Sequence, residues 1–259
     1  MGRALRSMVF VLTATAVAGG TLVGCGGASA SSPQQVADQL AQTDSALRST
    51  IDDWRAGGDP PEVAPPQEVL DQAEALQDDA VYLARHPNLT AQVLPLLSPA
   101  LAGQIRRLTT AEKDLLSLSR GARHRHLKVG APPPLSDLIG LYREANQRYG
   151  VAWNYLAAIH LVETKFGRVK SNSVAGAEGP MQFIPSTWRI YGNGGNIRDP
   201  HDAILAAANL LHHNGAPPQY ARALRAYNDS GLYVDAVTRY AREITANPYG
   251  IYYLYCWRP

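Results

Sequence analysis

The chain has 259 residues, 46% of them hydrophobic, enough for one domain of ordinary size and something smaller beside it. Its two cysteines, Cys25 and Cys256, are too few for a disulfide framework or a paired-cysteine zinc site. The formal net charge of +2 hides an asymmetry: residues 26–119 carry 6 basic and 13 acidic side chains, residues 120–259 carry 16 basic and 9 acidic, and a cationic half outside a membrane attracts anionic polymers or surfaces.

The first 24 residues read as an export signal. Arg3 and Arg6 form a short basic region, and Met8 to Ala18 is an apolar run too short to span a bilayer. Leu22-Val-Gly-Cys25 resembles the lipobox of bacterial lipoproteins, in which cleavage before the cysteine exposes it for diacylation. Cys25 is then the expected lipidation site, and the mature chain is expected to be held on the membrane by lipid, facing the cell wall or periplasm. A plain secretory signal is the alternative. Residues 25–33 are small and polar, a flexible tether.

Residues 34–128 carry a helical pattern. Val36, Leu40, Leu47, Ile51 and Trp54 recur at helical intervals from Gln34 to Trp54, before a Gly/Pro-rich break. A second helix is predicted from Gln67 to Arg85, then a short turn of apolar residues, then a third helix from Pro99 to about Leu118. A helical hairpin or small bundle follows, either a spacer or an extension packed on the next domain. The basic run 120–128 contains His124 and His126 two apart; with no third ligand nearby it reads as a solvated face.

Residues 129–134 (VGAPPP) form a stiff boundary, and residues 135–259 are expected to form the second domain. Leu135 to Arg148 is an amphipathic helix. Val151 to Phe166 is another, in which Ala152, Tyr155, Leu156 and Ile159 share a face with Glu163. A carboxylate on that face loses water, so its pKa rises toward the value a general acid needs near neutral pH. Gly167 is expected to stop the helix and leave Glu163 at a rim. A loop over 170–179 and a short helix over 185–190 follow. The loop 191–200 has Asp199 as its one acid, too few for calcium. Helices over 202–213, capped by Asp199 or Asp202, over 220–227 and over 232–245 complete an all-α half. HExxH, Gly-x-Ser-x-Gly and phosphate-loop motifs are absent, which removes zinc peptidase, serine hydrolase and nucleotide-binding readings.

Three blocks then stand in order: Glu163-Thr-Lys-Phe-Gly167, Ala175-Gly-Ala-Glu-Gly-Pro-Met-Gln-Phe-Ile-Pro-Ser-Thr-Trp188 and Ala226-Tyr-Asn-Asp-Ser230. Together, over about residues 136–247, they strongly resemble the lytic transglycosylase domain of peptidoglycan-cleaving enzymes, a relative of goose-type lysozyme. The resemblance implies an all-α, lysozyme-like catalytic domain. It makes Glu163 the sole catalytic acid and sets Gln182 in a sugar cleft. It puts Tyr227 and Asn228 beside the glutamate, the tyrosine approaching its carboxylate, and Met181 and Phe183 in cleft wall or core. The implied partner is a peptidoglycan glycan strand, with no cofactor, metal or nucleic acid. The implied reaction is cleavage that closes a 1,6-anhydro ring without water. Glu178, Asp199 and Asp229 are rival acids; one of them across the sugar would instead mean hydrolysis. A wall-binding lipoprotein without turnover is the remaining alternative.

Overall fold

The structure, a computed structural model, describes residues 32–120 and 127–259. The signal segment, Cys25, most of the tether, and His124 and His126 lie outside these residues. Among the described residues the chain forms eleven α-helices, one 3-10 turn and no sheet. None of these helices is long and apolar enough to cross a membrane.

Helix α1 (Pro33–Arg55) starts at a reciprocal cap: the Ser32 hydroxyl accepts from the Gln35 amide, and the Gln35 side chain accepts from the Ser32 amide. It packs on α2 (Gln67–Arg85), which packs on α4 (Pro99–Leu118). Between them, a seven-residue helix α3 (Pro87–Val93) and a 3-10 turn (Leu94–Leu96) replace the expected simple turn. Pro87 begins α3, and the Thr90 hydroxyl donates back to the Leu83 carbonyl at 2.7 Å. The second half contains α5 (Leu135–Tyr149), α6 (Trp153–Thr164), α7 (Pro185–Tyr191), α8 (Pro200–His213), α9 (Tyr220–Tyr227), α10 (Gly231–Ala246) and α11 (Gly250–Cys256). No sequence pattern marks helix α11. All seven of its residues are buried, so it has no polar face to set up a period.

Both halves share one hydrophobic core. Helix α4 lies along α10, α10 lies against α6, and α11 packs on α2. Buried polar groups cross the junction. Tyr240 donates to Glu112, while Glu243 accepts from Arg107, Tyr253 and, at 2.9 Å, from Asn247. Asn247 also donates to Gln104 at 2.9 Å. At the edge, Arg239 meets Asp114 at 3.0 Å, and Arg258 meets Glu74 at 2.7 Å and also Asp78. Part of the charge asymmetry is therefore satisfied internally, the acidic half facing the basic one. The Pro-rich segment 129–134 is no free hinge either. Val129 bridges Val169, the Gly130 amide donates to the Arg168 carbonyl at 2.9 Å, and Tyr255 donates to the Pro133 carbonyl at 2.9 Å. Of the two arrangements open for the N-terminal helices, the packed extension is the one observed.

Candidate active site

Every residue of α6 from Leu156 to Thr164 is buried, so the helix is enclosed all round instead of along one stripe. His160 ties it to α5: its Nδ1 lies 2.7 Å from the Tyr142 hydroxyl, and burial drops its pKa to about 3, leaving it neutral. The helix ends two residues before the expected Phe166. Lys165 (φ 51°) and Phe166 (φ 58°) both take left-handed backbone, which costs roughly 1–2 kcal/mol each for such residues. Tertiary bonds hold the turn. The Thr164 hydroxyl donates to the Pro180 carbonyl at 2.6 Å and accepts from the Gly167 amide at 2.9 Å. The last turn of α6 is thus stapled to the loop that carries Met181 and Gln182.

Glu163 is 1% exposed, deeper than the rim position expected. Burial raises its pKa to about 8, against an opposing pull from the hydrogen bond it accepts. At neutral pH the carboxyl keeps its proton. Its two oxygens differ. Oε1 accepts from the Tyr233 hydroxyl at 2.7 Å, while Oε2 is buried with no partner among the described residues.

The hydroxyl on the carboxylate therefore belongs to Tyr233 and not, as the resemblance implied, to Tyr227. Tyr227 instead donates to the Met181 carbonyl at 2.6 Å, and its ring stacks on that of Tyr233 with centroids 6.3 Å apart. The reason is positional. Tyr233 stands in the first turn of α10, where that helix packs on α6, whereas Tyr227 closes α9 over the 179–183 loop. Tyr233, Val237 and Tyr240 follow one helical stripe, and a buried tyrosine needs an acceptor for its hydroxyl; that signal was present in the sequence.

Gln182 also has left-handed backbone (φ 48°) and is buried. Its amide nitrogen donates to the Gly179 carbonyl at 2.9 Å, and its Oε1 has no partner. Asn228 is buried at the end of α9, and its Nδ2 has none either. Each buried polar atom left unpaired costs about 1–3 kcal/mol. The Tyr233 bond to Glu163, the Tyr227–Tyr233 stack and the Tyr227 bond to the Met181 carbonyl bring the residues on which these atoms sit, or their chain neighbours, into one neighbourhood. Buried polar atoms without partners are what a polar ligand can satisfy. Met181 and Phe183 are core residues: Met181 is fully buried, and Phe183 packs edge-on against Tyr227 and Trp188.

The loop is fixed from behind. Glu178 and Phe183 exchange both backbone bonds. Gly179 (φ 73°) lies so close to the next loop that a Cβ there would meet the Ile197 carbonyl oxygen at 1.9 Å. The rival acids are engaged elsewhere. Glu178 pairs with Arg198 at 2.7 Å, Asp199 caps α8 by accepting from the His201 and Asp202 amides, and Asp229 is exposed beside Arg225.

The ligand-type atoms of Asp199, His201 and Asp202 lie within 4.8 Å of one another, but this cluster suits a metal poorly. The Asp199 side chain and Asp202 Oδ2 already accept backbone amides, and Glu144 beside His201 raises the imidazole pKa, favouring the protonated ring.

Residues 140–248 match the model of the Transglycosylase SLT domain family. Comparison with curated proteins and with solved structures found no match.

Proposed function

Residues 140–248 are a transglycosylase SLT domain, a peptidoglycan-acting module, and from that premise we propose that the protein is a lytic transglycosylase. It cleaves the β-1,4 bond between N-acetylmuramic acid and N-acetylglucosamine and leaves a 1,6-anhydro end. The observation that carries the reading is a buried carboxyl with one oxygen anchored and the other unpartnered.

Glycoside cleavage usually employs two carboxyl groups. Here Glu163 does both jobs in turn. Its unpartnered Oε2 presents the proton to the bridging oxygen, and the C1–O bond breaks as that oxygen takes the proton and departs as the free hydroxyl of N-acetylglucosamine. The acetamido group of the muramic acid stabilises the cationic C1. The Glu163 carboxylate then accepts the proton of the C6 hydroxyl while O6 bonds to C1, which restores the acid and closes the ring. No water enters the balance. The bond from Tyr233 favours the charged state, so it eases the first transfer while burial favours return of the proton. Gln182 Oε1 and Asn228 Nδ2, an acceptor and a donor, suit the hydroxyl and acetamido groups of the sugars.

The reading includes export and a lipid anchor at Cys25, because the substrate lies outside the cytoplasmic membrane. Radiolabelled palmitate is expected to label the wild type and not Cys25→Ser; equal labelling contradicts the anchor. The function is tested with Glu163→Gln on purified wall. Loss of a general acid costs about 10²–10⁴-fold in rate. Cleavage within a few-fold of wild type would show that another group is the acid.

A further inference from the structure

At the opposite end of the two helices that carry Glu163 and Tyr233 lies a recess of about 620 Å³ between α4 and α10. Four arginines line it, Arg106 and Arg107 from α4 and Arg239 and Arg242 from α10, joined by Asn154 from the first turn of α6 and by Thr245. Asn154 precedes Glu163 by nine positions on α6, so the recess stands about 13 Å along the helix from the carboxyl.

Two of the arginines are compensated: Arg107 pairs with Glu243, and Arg239 with Asp114 at 3.0 Å. Among the described residues, Arg106 and Arg242 have no ion-pair partner. They come from the two helices that form the recess, so its lining includes two arginines without an ion-pair partner. Repulsion between them is relieved by an anion that meets both at once. A carboxylate brings a single negative charge against two guanidinium groups, and its acceptor sites lie in one plane. A phosphate presents oxygens in several directions and takes guanidinium groups from two sides. The Asn154 side chain keeps its amide nitrogen on the Ala241 carbonyl (3.0 Å) and the Thr245 hydroxyl (2.9 Å), a rigid floor for the recess.

We propose that this arginine-lined recess binds a phosphate group of a phosphate-bearing polymer, as a second site separate from the glycan-cleaving one. A polymer fits better than a membrane. None of the large hydrophobic side chains exposed elsewhere, such as Val63, Leu96, Ile190 or Leu232, lines the recess to enter a bilayer. The site does not depend on the catalytic reading.

Binding by the full chain is measured by titration with linear inorganic polyphosphate, with poly-L-glutamate of equal charge, and with phosphatidylglycerol vesicles, all at physiological salt. Polyphosphate is expected to bind at least tenfold more tightly than poly-L-glutamate. The double substitution Arg106→Ala, Arg242→Ala should lose at least tenfold in that affinity with an unchanged unfolding transition, because both side chains are exposed and unpaired. The pair Arg106→Lys, Arg242→Lys, which keeps charge and loses the fork, should fall between. Equal binding of poly-L-glutamate, vesicle binding without polyphosphate binding, or polyphosphate affinity indifferent to the double substitution would each overturn the assignment.

Discussion

Tyr233 anchors one oxygen of Glu163 and leaves the other unpartnered, so its hydroxyl bears on where the carboxyl titrates. That bond favours the charged carboxylate, and Tyr233→Phe is expected to move the Glu163 pKa further up from about 8. The alkaline limb of the pH–rate profile should shift upward, and the maximal rate should fall by about tenfold, the scale of one lost bond to a charged group. Tyr227→Phe should leave that limb in place, because its hydroxyl serves the Met181 carbonyl, and should cost about 1–3 kcal/mol of stability. A Tyr227→Phe profile that shifts as the Tyr233→Phe one does would contradict the assignment. Stability tells the same story from the other side. The Glu163 pKa stands at about 8 in the folded chain against 4.5 for the free group. A raised acid pKa gives full stability below the unfolded value, lost as pH climbs from about 4.5 to about 8. Glu163→Gln, with no charge to bury, should therefore unfold like wild type at pH 4 and be more stable by about 3 kcal/mol at pH 7. Denaturant titrations at the two pH values check this; a gain that does not grow with pH would mean the carboxyl is not held neutral.

Among the elements, the loop 175–184 depends on the close approach at Gly179. Gly179→Ala drives a methyl group into the Ile197 carbonyl, and its left-handed backbone adds strain. Thermal unfolding should register a loss of about 2–4 kcal/mol, and cleavage should drop with it because Gln182 sits three residues on. A neutral Gly179→Ala would mean the loop is not pinned there. This element also shows how far the sequence could be read. The helices α1, α2, α4, α5, α9 and α10 were legible because each has a polar face opposite a buried one, and α8, buried along most of its length, because Asp199 and Asn214-Gly215 mark its ends. Glu163 was legible as a desolvated carboxyl from its apolar neighbours on α6. Helix α11 was not, since seven buried residues in a row show no period. The end of α6 was not either: Lys165 and Phe166 take left-handed backbone against their own preference, held by Thr164 and Pro180, which no local pattern encodes. Tyr233 lies three residues past the Ala226–Ser230 block, where no motif marks it.

At the scale of the whole molecule, the N-terminal helices complete the second half's core. Glu243 is fully buried and relies on Arg107 from α4, and breaking such a pair from one side costs about 3–5 kcal/mol. A chain lacking residues 32–120 should accordingly lose its cooperative thermal transition and its activity together. A cooperative, active fragment 127–259 would instead make the N-terminal helices a spacer. The recess between α4 and α10 and the helix bearing Glu163 share one element, α10, on which α6 packs. In the proposed cycle one carboxyl acts twice, and the chemistry of the cut ends reads this directly. Mass spectrometry of fragments released from purified wall is predicted to find muramic acid ends lighter by one water, the 1,6-anhydro form, for the wild type and none for Glu163→Gln. Hydrated, reducible ends from the wild-type protein would contradict it and make the enzyme a hydrolase.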